Sequence, residues 1–141
     1  SQKIVGGQIV AFEPHPMNAD RLKDNAKNNK TDIEVMEVAL SNQSGSFQLQ
    51  KHPDSTATDE IGIGHFTISD NGKNSGSYQV ETLSGDTIVE NGEIPWPSVI
   101  KIDVEGGENK VIKGIEKILN QEQCRLVYCE VHPTLGRWEY N

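Results

Sequence analysis

The stretch KIDVEGGENKVIKG, residues 101–114, changes period within a few positions. It opens as the end of a continuous apolar run, SVIKIDV (98–104), of the kind buried in a parallel sheet. After Gly106-Gly107, the apolar positions Val111, Ile112, Ile115, Ile118 and Leu119 form one stripe of a helix. The segment therefore predicts strand, glycine turn, helix. Asp103 and Glu105 are two apart at the carboxyl end of the strand, and that spacing points both to one side of an extended chain. Glu108 falls in the first helical turn, where the helix dipole favours an acid, so for it a local stabilising role is expected.

Working outward, IVAF (9–12) is a second buried-type strand, closed by Glu13 and Pro14. NADRLKDNAKNN (18–29) predicts a helix with Asn18 as N-cap, Ala19, Leu22 and Ala26 on one face, and an end at Asn28-Asn29. IEVMEVAL (33–40) predicts the next strand, which completes a unit of parallel βαβ size. CRLVYCEV (124–131) is a further strand, ended by His132-Pro133. Between them, residues 41–92 are turn-rich. SFQLQ (46–50), HFTIS (65–69) and SYQVETL (77–83) alternate with period two and predict an insertion of antiparallel hairpins. ATDEIGIG reads as loop, and TLGRWEYN (134–141) carries aromatic side chains that need a surface to bury against. The expectation is a single α/β domain over residues 1–141, with parallel strands, crossover helices and an insertion at about 41–92.

The 141 residues carry a net charge of -8, which disfavours nucleic acid and anionic membranes as partners because both are negative. The hydrophobic fraction is only 34%, but it is gathered into runs, as in a folded domain. No run approaches the roughly 20 apolar residues of a membrane span, and no signal peptide is visible, so a cytoplasmic protein is expected. Cys124 and Cys129 are five apart around one strand and point to opposite faces, which predicts reduced, buried thiols. His15, His52 and His65 read as surface or loop residues, with His15 close to Glu13. GIGHF (62–66) lacks the preceding strand and following helix of a phosphate loop and reads as turn glycines.

Ligands of open α/β sheets bind at the carboxyl ends of strands. That rule selects Glu13, residues 39–42, Asp103 and Glu105, and Glu130 and His132. Glu13 could accept from ribose hydroxyls, or be a solvated acid before a turn. Asp103/Glu105 and Glu130/His132 share one spacing; on neighbouring strands they would converge, able to hold a divalent metal or to supply a general base. Against this, Asp103 could pair with Lys101 or Arg125, and Glu105 could cap backbone N–H groups. With no closely spaced His pair and no Cys cluster, a structural zinc site is not expected. The absence of GxSxG, a P-loop and a basic aromatic stripe removes the serine hydrolase, NTPase and nucleic-acid readings.

Four segments together resemble the FkbM-type methyltransferases. GGQIVAFEPHPMNADRLKDNAKNN (6–29) is similar to the family's strand ending in A-F-E-P and the helix after it. VALSNQSGSFQL (38–49) resembles the next strand and its A-L-S-D-x-x-G turn, VIKIDVEGGENKVIKG (99–114) the K-I-D-V-E-G-x-E segment, and LVYCEVHP (126–133) the following strand. The resemblance spans about residues 5–133. It implies a Rossmann-like class I fold and S-adenosylmethionine as cofactor. It implies methyl transfer to a hydroxyl of a sugar, glycolipid or polyketide-like small molecule. By it, Glu13, followed by Pro14, would hold the ribose hydroxyls, while Ala39, Leu40 and Asn42 would border the adenine. Asp103 and Glu105 would line the reaction cleft. His132 would be the first choice of base, Asp103 the second, and Glu130 would orient the imidazole.

Two departures bear on this. Asn42 stands where the family usually has Asp. The family's first strand and its D-x-G-A-N-x-G loop, due about twenty residues before Glu13, are absent from the 141 residues, and SQKIVGG looks like the tail of the helix that follows that loop. Weak cofactor binding, or none, is therefore expected of this chain. The strands ending at Glu13 and Asp103 would pair directly, accept a strand from a second copy in a homodimer, or leave the sheet open. The rival expectation is a non-catalytic α/β binding or assembly module.

Overall fold

The computed structural model describes residues 7–51, 66–69, 78–104 and 106–131. The elements run β1 (Ile9–Phe12), α1 (Pro16–Asn28), β2 (Ile33–Met36), β3 (Ala39–Leu40), β4 (Gly45–Lys51), β5 (Phe66–Ser69) and β6 (Tyr78–Leu83). They continue with α2 (Gly85–Glu90), β7 (Val99–Ile102), α3 (Glu108–Lys113), α4 (Glu116–Leu119) and β8 (Leu126–Cys129). The fold is mixed α/β. β1 and β2 pair in parallel from Ile9↔Ile33 to Phe12↔Met36, with α1 as the crossover. β7 and β8 pair in parallel from Val99↔Leu126 to Ile102↔Cys129, with α3 and α4 between them in sequence. The third sheet has the order β3-β6-β4-β5; β4 is antiparallel to β5 and β6, and β3 is parallel to β6. Among the described residues β1 and β7 lie in separate sheets, so direct pairing of those two strands is not what the chain adopts.

Several local expectations need correction. The run 33–40 is two strands in two sheets, not one. The break falls at residues 37–38, and the Glu37 carboxylate pairs with Lys23 on α1. α1 starts at Pro16, not after Asn18: proline is suited to the first helical position, and His15 is the N-cap residue. The residue in the left-handed region beyond the helix is Lys30, with φ 54°, rather than an asparagine. The end of the 41–92 segment is the helix α2, opened by Ser84, whose hydroxyl accepts from the Thr87 N–H at 3.1 Å. The single stripe after Gly107 is carried by two short helices that break at Gly114. ATDEIGIG, most of GIGHF, and TLGRWEYN lie outside the described residues, as do His52 and His65.

The core joins Val89, Ile102, Val111, Ile115 and Ile118, with Leu40, Ile94, Ile100, Cys124 and Cys129 packed at its border. It lies on one side of the β7/β8 pair. On the other side Val99, Leu126 and Tyr128 are 60, 58 and 57% exposed. The buried-strand expectation thus holds for part of one face only, since Val127, on the parity of Cys129, is 38% exposed. The parity of a strand forces the split, since residues 100, 102 and 129 take the inner face and leave 99, 126 and 128 outside. Among the described residues no helix is long and apolar enough to cross a membrane.

Two buried polar contacts lock the helices to this core. Asp86, at the start of α2, accepts from the backbone N–H of Lys117 (Oδ2, 3.0 Å) and of Ile118 (Oδ1, 3.0 Å), and so caps α4. Its own N–H donates to the Gly114 carbonyl at 2.9 Å. The cysteines are free and half-buried rather than fully buried. Burial pushes the Cys129 thiol above its ordinary range, and the negative charge of Glu108 adds to the shift. A thiol reacts as its thiolate. Cys129 in the folded chain is therefore expected to react with a disulfide reagent at pH 8 at least about tenfold more slowly than after unfolding in urea. Stopped-flow absorbance on a Cys124→Ser background checks this; equal rates overturn it.

Candidate active site

The candidate residues sit where strands end, and their setting follows from how each strand terminates. β1 ends at Phe12 because Pro14 cannot extend a ladder. The Glu13 N–H still donates to the Met36 carbonyl at 3.0 Å, so the residue is held at the depth of the strand end. Its side chain is half-buried, and Oε1 accepts from the His15 N–H at 2.8 Å. That bond fixes the carboxylate at the mouth of α1. Pro14 is half-buried beside it. His15 is buried, 5% exposed, which corrects the surface reading. It is the N-cap residue of α1, and its carbonyl accepts from the Ala19 N–H at 2.9 Å.

Residues 39–42 form a turn held from three sides. Ala39 is buried and Leu40 half-buried in β3. The Ser41 N–H donates to Leu83 at 2.9 Å, and the hydroxyl of fully buried Thr82 donates to the Gln43 carbonyl at 3.1 Å. Gly114 presses against the Ser41 carbonyl from the third side. Asn42 rides on this fixed turn with its side chain exposed; the Ser41 hydroxyl donates to its Oδ1 at 3.4 Å.

Asp103 follows β7 directly and is exposed. It pairs with Lys101 (Oδ2 to Nζ, 2.5 Å), one of the two partners, Lys101 or Arg125, that the sequence offered. The hydrogen bond to Asp103 raises the Lys101 ammonium above its ordinary value, desolvation opposes the rise, and the charges of Asp103, Glu130 and Tyr128 add to it. Glu130 is therefore in electrostatic reach of the pair. Its N–H donates to the Ile102 carbonyl at 2.9 Å, which carries the β7/β8 pairing one residue past the strands. The structure thus brings Asp103 and Glu130 to one end of one strand pair. Glu105 and His132 lie outside the described residues. Among the described residues no group of three or more His, Cys, Asp or Glu side chains is arranged to hold a metal ion.

Sequence reasoning missed the most buried acid near this end. Glu108 is 1% exposed, far more enclosed than a dipole-favoured surface acid. The signal available was the glycine pair before it, which lets a side chain fold back over its own loop. Gly106 is left-handed at φ 81°, and its N–H donates to the Val104 carbonyl at 3.0 Å and to Glu108 Oε1 at 3.4 Å.

With this geometry in view, the chain was compared with known proteins. The family model described as "Methyltransferase FkbM domain" matches residues 3–140, almost the whole chain. The chain belongs to the FkbM methyltransferase family. A relative described as "Hexuronic acid methyltransferase AglP", from Haloferax volcanii, is 34% identical over 128 residues. That match takes in 88% of this chain and 47% of the relative, so the FkbM domain here spans about half of the relative's length. No solved structure gives a significant match.

Proposed function

We propose that this FkbM domain serves an S-adenosylmethionine-dependent O-methyltransferase whose acceptor is a sugar, with a hexuronic acid as the acceptor class. The observation that carries the reading is the match to a hexuronic acid methyltransferase across 88% of the chain. Two parallel strand pairs with helical connections support a Rossmann-like arrangement. In such an arrangement, strand ends are where a nucleoside is held.

The described residues fit the adenosine half of the cofactor. The Glu13 carboxylate is half-buried and held by the His15 N–H, which is the fixed acceptor that ribose hydroxyls need. Ala39 and Leu40 give an apolar border, and Asn42 offers an amide that can both donate and accept. Bound there, S-adenosylmethionine supplies an electrophilic sulfonium methyl. This chain's part is positioning and proton handling. Asp103 would take the acceptor's proton at a carboxylate oxygen, with Lys101 fixing the orientation of that carboxylate. Glu130, at the same strand end, would shape the field around it. In the family resemblance His132 is the first choice of base and Glu105 lines the cleft; Asp103, the second choice, is proposed because its carboxylate and partner are among the described residues.

The test is transfer of isotope-labelled methyl to hexuronic-acid glycosides, with millimolar S-adenosylmethionine so that low affinity does not mask turnover. Labelled sugar is expected. Its stability to mild alkali separates a methyl ether from a methyl ester, since a uronic acid offers both hydroxyl and carboxylate oxygens. Label on no sugar acceptor, with the same cofactor consumed by another class of acceptor, overturns the reading.

A further inference from the structure

We infer that Glu108 is a positioning residue for the β7–α3 loop, and that it holds the strand-end acid Asp103 in register through the backbone of Gly106. The inference rests on the methyltransferase reading for its kinetic arm alone.

Glu108 is the first residue of α3, yet its side chain does not project into solvent as acids in a first turn ordinarily do. It is 1% exposed. Burial of a carboxylate is unfavourable unless hydrogen bonds and local charge compensate. One such bond is identified: Oε1 accepts from the Gly106 N–H at 3.4 Å, so the side chain folds back over its own loop. The same N–H also donates to the Val104 carbonyl at 3.0 Å. Gly106 sits at φ 81°, a conformation that L side chains rarely adopt, so glycine is needed there.

The second line of evidence lies across the strand pair. The negative charge of Glu108 is felt at the Cys129 thiol, on β8. Cys129 pairs with Ile102, the last residue of β7. Val111 of the same helix packs with Ile102, and Cys129 borders that cluster, so α3 lies against the strand ends whose next residues are Asp103 and Glu130. Through Gly106, whose N–H also holds the Val104 carbonyl, Glu108 fixes the backbone next to Asp103 and thus where the Asp103 carboxylate stands. The charge matters as well as the shape. A carboxylate accepts more strongly than a neutral amide from the same N–H, and the N-terminal end of a helix favours it.

Two variants test this. Glu108→Gln keeps the volume and can keep an acceptor oxygen, but loses the charge. Glu108→Asp keeps the charge, while its shorter side chain no longer reaches the Gly106 N–H without a shift. Backbone-assigned NMR of the chain reads the Gly106 amide directly. In Glu108→Gln its proton resonance is expected to move upfield, and the Asp103 amide is expected to shift with it, while the melting temperature stays close to the parent's. A Gly106 amide that does not move in Glu108→Gln overturns the inference, whatever the enzyme assay gives. In the assay, kcat is expected to fall about tenfold to a hundredfold, the order lost through small misplacements of a reacting group. KM for the sugar should be unchanged, as for an effect confined to the transition state. A raised KM with unchanged kcat overturns the inference. If the parent transfers no methyl group, the methyltransferase reading fails, and the NMR arm still decides the role of Glu108.

Discussion

Gly114→Ala is expected to be the most damaging small substitution in this chain, with a loss of about 3 kcal/mol of stability or more. A Cβ at this position would lie 2.0 Å from the Ser41 carbonyl oxygen, 2.8 Å from its carbon and 3.3 Å from Asn42 Cα. All three are backbone atoms, so no side chain can rotate away. Gly114 itself has an ordinary helical backbone, φ -80° and ψ -4°. The requirement is therefore one of close approach and not of conformational freedom. Relief would need the α3–α4 junction to part from the 41–42 turn, against the Asp86 N–H bond that holds the Gly114 carbonyl. For a domain of this size the cost corresponds to a fall in melting temperature of roughly 10 °C. Circular dichroism melts check it. Gly107→Ala is the control, because its Cβ would meet only Val104 Cγ2 at an ordinary 3.7 Å. A Gly114→Ala protein that melts no lower than Gly107→Ala overturns the argument. The contact also bears on function: the turn that is pushed away carries Asn42, the candidate adenine contact.

That packing was not legible in the sequence, where Gly114 falls inside the predicted helical stripe. What was legible has a common physical origin. Local period and strand-ending residues are written in a single run of sequence. IVAF before Glu13-Pro14 and VIKI before Asp103 therefore gave strands with acids at their ends. The Lys101–Asp103 pair is two residues apart and was equally accessible. The misses involve partners far apart in sequence. The run 33–40 divides because its two halves pair with different strands, β1 and β6. Thr82 and Leu83 hold residues 41–43 across about forty positions. Exposure was misread for a related reason. A continuous apolar run specifies that both faces can be buried, but only packing decides which face is. Here one face of the β7/β8 pair is covered by the α3 and α4 residues while Val99, Leu126 and Tyr128 are not. Glu108 shows the same limit for an acid, since its helical position was readable but its enclosure was not. Two of the candidate residues, Glu105 and His132, lie outside the described residues, so their contribution rests on the family pattern.

Asp86→Ala is expected to cost about 3 kcal/mol, the order seen when buried charged hydrogen-bond partners are removed. Asp86 is 9% exposed, and its two carboxylate oxygens each take one backbone N–H of α4, from Lys117 and Ile118. α4 has only four residues, too few to be stable alone, and its helical state depends on this cap and on the burial of Ile118. Alanine would leave both N–H groups without their acceptor and would remove the charge that the helix N-terminus favours. Asp86→Asn separates the two contributions. Its single amide oxygen can satisfy one N–H, while its NH₂ group would face the other donor, so it should regain less than half of the loss. Urea unfolding gives the energies. Hydrogen exchange gives the location, because the Lys117 and Ile118 amides should exchange faster than those of α1 under native conditions. A loss below about 1 kcal/mol in Asp86→Ala, or exchange that rises uniformly across the chain, would mean that α4 is held by its apolar face alone. The bond from the Asp86 N–H to the Gly114 carbonyl makes the two sites energetically coupled. The double variant Asp86→Ala/Gly114→Ala should therefore lose less than the sum of the single losses, since opening the junction for one substitution relieves the other.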